Sequence, residues 1–337
     1  MPEFWIFFKL VFLAMLRVWL IILCGFLAFQ VHLINKKHIH LLSSLTINLL
    51  LPCYIFSHFL DNLTGDLPQR WWICPILGMV ICGLGFTVGK IFMVLTKQQH
   101  YKQEFISTVS FQNCGYLPLI LAISVFPADV AKILVTNIFL FIQGFNFIFW
   151  GFGVQLLKPA GSLLKIEFRK VLNAPFMALI FSMILIYTKS YKFFPSGLIN
   201  ITQGFGILTL PVALIILGAI LAECILLFKD IKSTKIVNKP LVKSVTIAEI
   251  LSKVILIKLI IMPAIILIFI YLIKIPKIMS LLLVLEAAMP SAINLSVVTF
   301  YQKAKSDFIA AAVFLTHILG VITIPLFLAI GKMIIGI

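Results

Sequence analysis

Apolar residues in this chain run in blocks of roughly 20, separated by short charged segments, and this pattern restricts the fold more than any other feature. Of the 337 residues, 62% are hydrophobic and 11% are charged. Runs such as WLIILCGFLAF and SLLLVLEAAMP do not alternate apolar and polar residues, so they do not match the strands of an outer-membrane barrel. The sequence therefore predicts an all-α polytopic membrane protein.

Turn and charge signals divide the apolar sequence into ten predicted transmembrane helices, which we call spans one to ten. Their predicted bounds are 9–33, 41–60, 71–95, 104–126, 130–155, 171–188, 198–227, 248–273, 277–300 and 308–335. The start of span one stays open, because two interpretations fit Arg17. Either it reaches the outer interface from a long tilted helix, or it begins the span and leaves residues 1–16 at the interface.

The lysines and arginines lie mostly between the apolar runs, so the net charge of +16 indicates membrane topology rather than nucleic-acid binding. Fifteen of them lie in the odd-numbered loops and six in the even-numbered loops. Because cytoplasmic loops carry the excess of positive charge, the odd-numbered loops are predicted to be cytoplasmic. We therefore expect an integral protein of the cytoplasmic membrane with both termini outside.

Two spans contain residues that interrupt a helix. Span four holds FQNCGYLPLI, with Asn113 close to Pro118, and span nine holds LEAAMPSAINL, with Pro290 close to Asn294. Proline removes a helical hydrogen bond, and an unpaired backbone group in hydrocarbon is costly. Such backbone is tolerated at membrane depth where it lines a water-accessible cavity.

The spacing of prolines indicates an internal repeat. Pro52 of span two precedes Pro118 by 66 residues, and Pro211 of span seven precedes Pro290 by 79 residues. Residues 1–157 and 158–337 are therefore predicted to be two five-helix repeats. Because five is odd, the second repeat enters the membrane from the opposite side, and the repeats are inverted, with broken spans four and nine crossing each other.

Interrupted helices in matching positions predict the binding site of a transporter. The partly positive N-termini of the half-helices favour an anion, and asparagine side chains add neutral donors. The alternative is a pair of proline kinks whose polar neighbours only bond the freed carbonyls. The residues predicted to bind substrate are Asn113, Gly115, Pro118, Pro290, Ser291 and Asn294 at the crossing, with Asn146 of span five.

Glu286 is a carboxyl group inside an apolar run, where ionisable residues are rare and usually functional. It is predicted either to carry a coupling proton or to be a protonated structural residue bonded to a carbonyl. For His58 and His317 a packing role is favoured. The sequence contains no metal-ligand spacing and no hydrolase or nucleotide-binding motif, so we expect no enzyme and no cofactor, only coupling to H⁺ or Na⁺.

The segments FQNCGYLPLI, LLLPCYIFSHFL and LTLPVALIILGAIL, together with LEAAMPSAINLSVVTFYQKAKSDFIAAAVFLTHILGVITIPLFLAIG, resemble the auxin efflux carrier family. The resemblance implies ten helices, a scaffold from spans one, two, six and seven, and a moving part from spans three to five and eight to ten. It also implies an elevator-type cycle, a homodimer and small carboxylates such as malate and malonate as substrates. The residues that match the family's crossing are Asn113, Pro118, Pro290, Ser291 and Asn294.

Two departures accompany the resemblance: the long hydrophilic central loop of many plant members is absent, and Glu286 stands where a neutral polar residue would also fit. We expect a secondary transporter of malate-like, malonate-like or auxin-like acids that works in a lipid bilayer and does not bind nucleic acid. One alternative is a sodium-coupled organic anion symporter of the bile-acid type. Another is a membrane sensor or scaffold that binds ligand without transport.

Overall fold

Helices make up the fold of the residues that the computed structural model describes, which are 2–62, 70–95, 101–157, 168–233, 242–302 and 306–336. The α-helices in chain order are α1 Pro2–Gln30, α2 Lys36–Leu45, α3 Leu51–Asn62, α4 Ile73–Leu95, α5 Lys102–Ser110, α6 Tyr116–Val125, α7 Ala128–Ile148, α8 Val154–Leu156, α9 Phe168–Val171, α10 Ala174–Tyr187, α11 Ser196–Ile207, α12 Thr209–Ser233, α13 Val242–Leu256, α14 Met262–Leu272, α15 Lys277–Ala287, α16 Asn294–Gln302 and α17 Ser306–Ile335.

Single π-helical turns join three pairs of these helices into longer ones. The turns are Thr46–Leu50 between α2 and α3, Phe149–Gly153 between α7 and α8, and Ile257–Ile261 between α13 and α14. Turns of this kind often occur at functional positions, because they shift the side chains that follow around the helix axis. The third turn contains a buried lysine, Lys258.

Seven helices within the described residues are long and apolar enough to cross a membrane. They are Pro2–Gln30, Lys36–Asn62, Ile73–Val94, Ala128–Leu156, Ser196–Leu226, Ile247–Leu272 and Asp307–Ile335. The three other predicted spans correspond to shorter helices: α10 covers most of span six, α5 and α6 cover span four, and α15 and α16 cover span nine. The chain is thus a multi-pass helical membrane protein, and two of its spans are each divided into two half-helices.

Span one starts earlier than the predicted residue 9, because α1 begins at Pro2 and runs for 29 residues. No helix-breaking residue follows Pro2 before the end of the helix, and proline is accepted in a first helical turn. Arg17 therefore lies in mid-helix with its side chain exposed. Of the two interpretations of Arg17, the structure favours the long helix.

Close helix crossings depend on pairs of glycines. Where α1 crosses α12, a Cβ on Gly25 would overlap the backbone of Ile215, and a Cβ on Gly218 would overlap the backbone of Ile22. The crossing of α4 and α7 uses Gly78 and Gly144 in the same reciprocal way. Small residues let helix backbones approach each other in a membrane, where dispersion rather than the hydrophobic effect holds helices together.

The helices pack against one another in several extensive pairs. Helix α1 packs along α12, while α3 packs against α10 and α11. Helix α4 packs against α5 and α7, and the long α17 contacts α1 and α12 as well as α13, α14, α15 and α16. An ion pair of 2.8 Å between Lys36 and Glu223 connects α2 with α12 at one end of the bundle.

Candidate functional site

The two divided spans meet at their interruptions, residues 111–115 between α5 and α6 and residues 288–293 between α15 and α16. Gln112 and Ser291 form an isolated antiparallel bridge. The Asn113 N–H donates to the Pro290 carbonyl at 2.8 Å, and the Ala292 N–H donates to the Phe111 carbonyl at 2.9 Å. Each interruption therefore satisfies backbone groups of the other, which allows extended chain to exist at membrane depth.

The two predicted helix-breaking prolines occupy different positions. Pro290 lies within its interruption, three residues after the end of α15, and supplies a carbonyl to the bridge. Pro118 is the third residue of α6, after its interruption rather than in it. A first-turn N–H has no intrahelical acceptor, so proline costs no hydrogen bond at that position.

Ser291 is fully buried and makes two contacts outside its own segment. Its hydroxyl donates to the Thr108 carbonyl at 2.8 Å, and its N–H donates to the Thr316 hydroxyl at 3.2 Å. Predicted as a substrate contact, Ser291 holds the end of α5 and the side of α17 against the crossing in this structure.

Asn113 meets His317 of α17, a contact that the sequence analysis did not anticipate. The His317 Nδ1 lies 2.8 Å from the Val313 carbonyl, which only accepts, so Nδ1 carries a proton. In the neutral ring Nε2 is then an acceptor, and the Asn113 amide nitrogen, 3.2 Å away, donates to it. This bond fixes the orientation of the Asn113 amide and leaves its second N–H and its oxygen for other hydrogen bonds.

The other predicted contact residues lie in three different environments. Gly115 is the N-cap residue of α6, and a Cβ built on it would meet no atom within 4 Å, so open space adjoins this helix N-terminus. Asn294 begins α16 with an exposed side chain. Asn146 is partly buried in α7, and within the described part of the chain its side chain makes no hydrogen bond to the crossing.

Glu286 is fully buried in the last turn of α15. Neither of its carboxyl oxygens has a hydrogen-bond partner among the described residues, so the predicted bond to a backbone carbonyl is not present. Both amide atoms of buried Gln112 are also without partners in that part of the chain. Native structures have few unsatisfied buried polar groups, so these two side chains make the space beside the crossing a candidate position for a ligand, an ion or water.

Lys258 is the functional candidate that the sequence analysis missed. It lies in the π-helical turn between α13 and α14, is 1% exposed, and its ammonium group donates to the Val109 carbonyl at 3.1 Å. Glu286 and Cys114 are near enough to interact with it electrostatically. A cation in the apolar run VILIKLII was a visible signal, because such residues are expensive in hydrocarbon.

A cavity of about 450 Å³ lies between α4, α5 and the end of α7. Gln103 and Gln155 are polar residues of its mainly apolar wall, and Phe111 connects it with the crossing. The Phe111 ring packs edge-on to Phe149, at 5.1 Å between centroids, and neither Asn113 nor Ser291 lines the cavity.

Comparison with known proteins adds independent information. The family described as "Membrane transport protein" matches residues 10–169 and 162–328. "Protein PIN-LIKES 2" of Arabidopsis thaliana is 28% identical over 97 residues, which are 28% of this chain and 21% of that protein. "Uncharacterized transporter YBR287W" of Saccharomyces cerevisiae is 31% identical over 116 residues, 34% of this chain and 27% of that protein. The aligned segments thus span about a quarter of these relatives or less.

The family match covers both interruptions and most of the helices, including α17 up to residue 328, and it agrees with the resemblance carried by the broken segments. The chain therefore belongs to the membrane transport protein family, the family of the auxin efflux carriers.

Proposed function

We propose that this protein is a secondary transporter of small organic anions, with the crossing of the two interruptions as its binding site. The observation that carries this proposal is the pairing of residues 111–113 with residues 290–292, which leaves the N-terminus of α6 beside open space at Gly115. A helix N-terminus favours negative charge, and no side chain caps this one. Malate-like, malonate-like and auxin-like acids have the required carboxylate.

Asn113 is proposed to bind the carboxylate. One of its two amide N–H groups donates to His317, so the second can donate to a carboxylate oxygen, and the side chain is buried but not sealed, at 9% exposure. A neutral amide recognises a carboxylate without the desolvation cost of a second fixed charge. Asn294, exposed at the start of α16, is proposed to approach the ligand from the other half-helix.

The proposed cycle is of the elevator type, in a fold of two inverted five-helix repeats. Two contact patterns support this proposal. Spans one and seven pack together as α1 with α12, and spans six and two pack together as α10 with α3. Two equivalent repeats predict both pairs, because span six corresponds to span one and span two corresponds to span seven. The predicted moving spans also form their own contacts, α4 with α7 and α14 with α17.

Proton coupling through Glu286 completes the proposal. A carboxyl group without a hydrogen-bond partner gains or loses a proton without breaking a structural bond.

The protein is further proposed to be a homodimer in the cytoplasmic membrane with both termini outside, following the loop charges. Membership of a transporter family supports transport over catalysis.

The test is uptake of radiolabelled malate, malonate and succinate into proteoliposomes, with and without an inward proton gradient. Saturable uptake that Asn113→Ala abolishes is the expected result. Asn48→Ala is the matched control, because Asn48 is exposed and, among the described residues, bonds only to Ser44. Uptake indifferent to Asn113→Ala would remove the crossing as the binding site.

Two other outcomes separate the remaining alternatives. Uptake that requires Na⁺ rather than a proton gradient would favour a symporter of the bile-acid type. Saturable binding without counterflow for every acid tested would favour a sensor that does not transport.

A further inference from the structure

The last carbonyl groups of half-helix α5 are bonded by donors from three parts of the chain. The Ser107 carbonyl accepts from the Phe111 N–H at 3.1 Å, and the Thr108 carbonyl accepts from the Ser291 hydroxyl at 2.8 Å. The Val109 carbonyl accepts from the Lys258 ammonium at 3.1 Å. A helix C-terminus carries partial negative charge, so the ammonium lies where a cation is electrostatically favoured.

Lysine is an unusual donor at this depth. Its side chain is 1% exposed, and within the described residues it has no ion pair, only the carbonyl bond and longer-range interactions with Glu286, Cys82 and Cys114. Burying an ammonium group is costly unless its surroundings are arranged for positive charge. A helix C-terminus and a buried carboxyl group from another helix form such surroundings.

We propose that the ammonium group of Lys258 occupies the position at the α5 C-terminus where a sodium-coupled carrier of this architecture would bind Na⁺. In transporters with broken helices, half-helix C-termini and unwound carbonyls are the groups that coordinate the coupling Na⁺. Here the ammonium group, which is part of the protein, supplies the positive charge at that position, so the crossing needs no bound metal ion. The inference rests on the proposed function and predicts that transport does not require Na⁺.

The consequence is a carrier that does not respond to Na⁺. Glu286 on α15 is the acidic group that acts on Lys258, and the Cys82 and Cys114 thiols are its other titratable neighbours. With the ammonium group charged, protonation of Glu286 changes the net charge of this cluster by one unit. Removing the ammonium would leave the Val109 carbonyl and the Glu286 carboxyl group as oxygen ligands for an added cation.

The experiment measures the Tm of the purified full-length protein in detergent, in NaCl and in choline chloride of equal ionic strength. The wild-type Tm is expected to be the same in both salts. Lys258→Ala is expected to have a lower Tm that rises saturably with added Na⁺ or n-propylammonium, because propylammonium replaces the atoms removed from the side chain. Lys253→Ala is the matched control, since Lys253 lies on α13 with an exposed partner, Glu249.

Lys258→Met fills the space without charge and is expected to gain no response to either cation. A wild-type Tm that rises saturably with Na⁺ over choline would overturn the proposal, and this result needs no variant to fold. A Lys258→Ala protein that responds to neither cation would also overturn it and leave Lys258 a structural lysine. Absence of uptake for all acids would count against the proposed function while leaving this Tm comparison valid.

Discussion

The amide nitrogen of Asn113 donates a 3.2 Å hydrogen bond to Nε2 of His317, whose Nδ1 donates to the Val313 carbonyl. This chain of bonds connects the interruption of span four with the middle of α17. It fixes both the histidine tautomer and the direction of the amide. His317 is thus a positioning residue for the group that we propose to bind the carboxylate.

His317→Ala is therefore expected to raise the KM for the transported acid by roughly tenfold, which corresponds to about 1.4 kcal/mol for a lost hydrogen bond. Its maximal uptake rate is expected to change less than its KM. His58 is a suitable control, because it is buried and bonded to Thr136 and Asn62 away from the crossing. His58→Ala is expected to lower stability with KM unchanged; equal KM effects of the two variants would contradict the assignment.

Ser291→Ala is expected to destabilise the protein by about 1–2 kcal/mol, because the Thr108 carbonyl at the end of α5 loses its donor. The measurement is thermal unfolding of the purified protein. Ser182→Ala is the comparison, since within the described ranges that buried hydroxyl bonds only to the Ala178 carbonyl of its own helix. Ser182→Ala is expected to cost less than Ser291→Ala, and the reverse order would count against the described crossing.

Gly218→Ala is expected to reduce the yield of folded protein and to cost about 1–3 kcal/mol or more, because the new Cβ would overlap the backbone of Ile22 in α1. Size-exclusion profiles and Tm values report this effect. Gly204→Ala in α11 is the opposite case, since a Cβ there meets nothing within 4 Å, and it is expected to stabilise its helix by about 0.5–1 kcal/mol. Similar behaviour of the two variants would show that the α1–α12 crossing is looser than described.

Glu286→Gln is expected to remove the stimulation of uptake by an inward proton gradient while counterflow between unlabelled and labelled acid persists. Glutamine has nearly the same shape as protonated glutamate but does not titrate, and no described hydrogen bond is lost. The measurement is the ratio of uptake with and without the gradient, compared with counterflow in the same proteoliposomes. A variant that keeps the full gradient response would exclude Glu286 as the proton carrier.

Local features of the sequence determined the class of the protein, the approximate bounds of its spans and the two places where helices stop. These features are visible locally because an apolar run long enough to cross a bilayer and a proline or glycine cluster within it act on the backbone at their own position. Pro290 and the segment from Phe111 to Gly115 lie between the half-helices of the structure. Pro118 marked only the start of the following half-helix, since proline fits a first helical turn.

Contacts between helices were decided only by the tertiary structure. The sequence predicts the same role, substrate binding, for Asn113 and Asn294, whereas the fold buries Asn113 against His317 and exposes Asn294. The role of Lys258 was not predicted, because the carbonyl that accepts its hydrogen bond belongs to Val109, 149 residues away along the chain. Which polar side chains meet depends on how each helix is rotated and how deeply it sits, and this is set by close packing, such as the glycine crossing of α1 with α12, rather than by any local pattern.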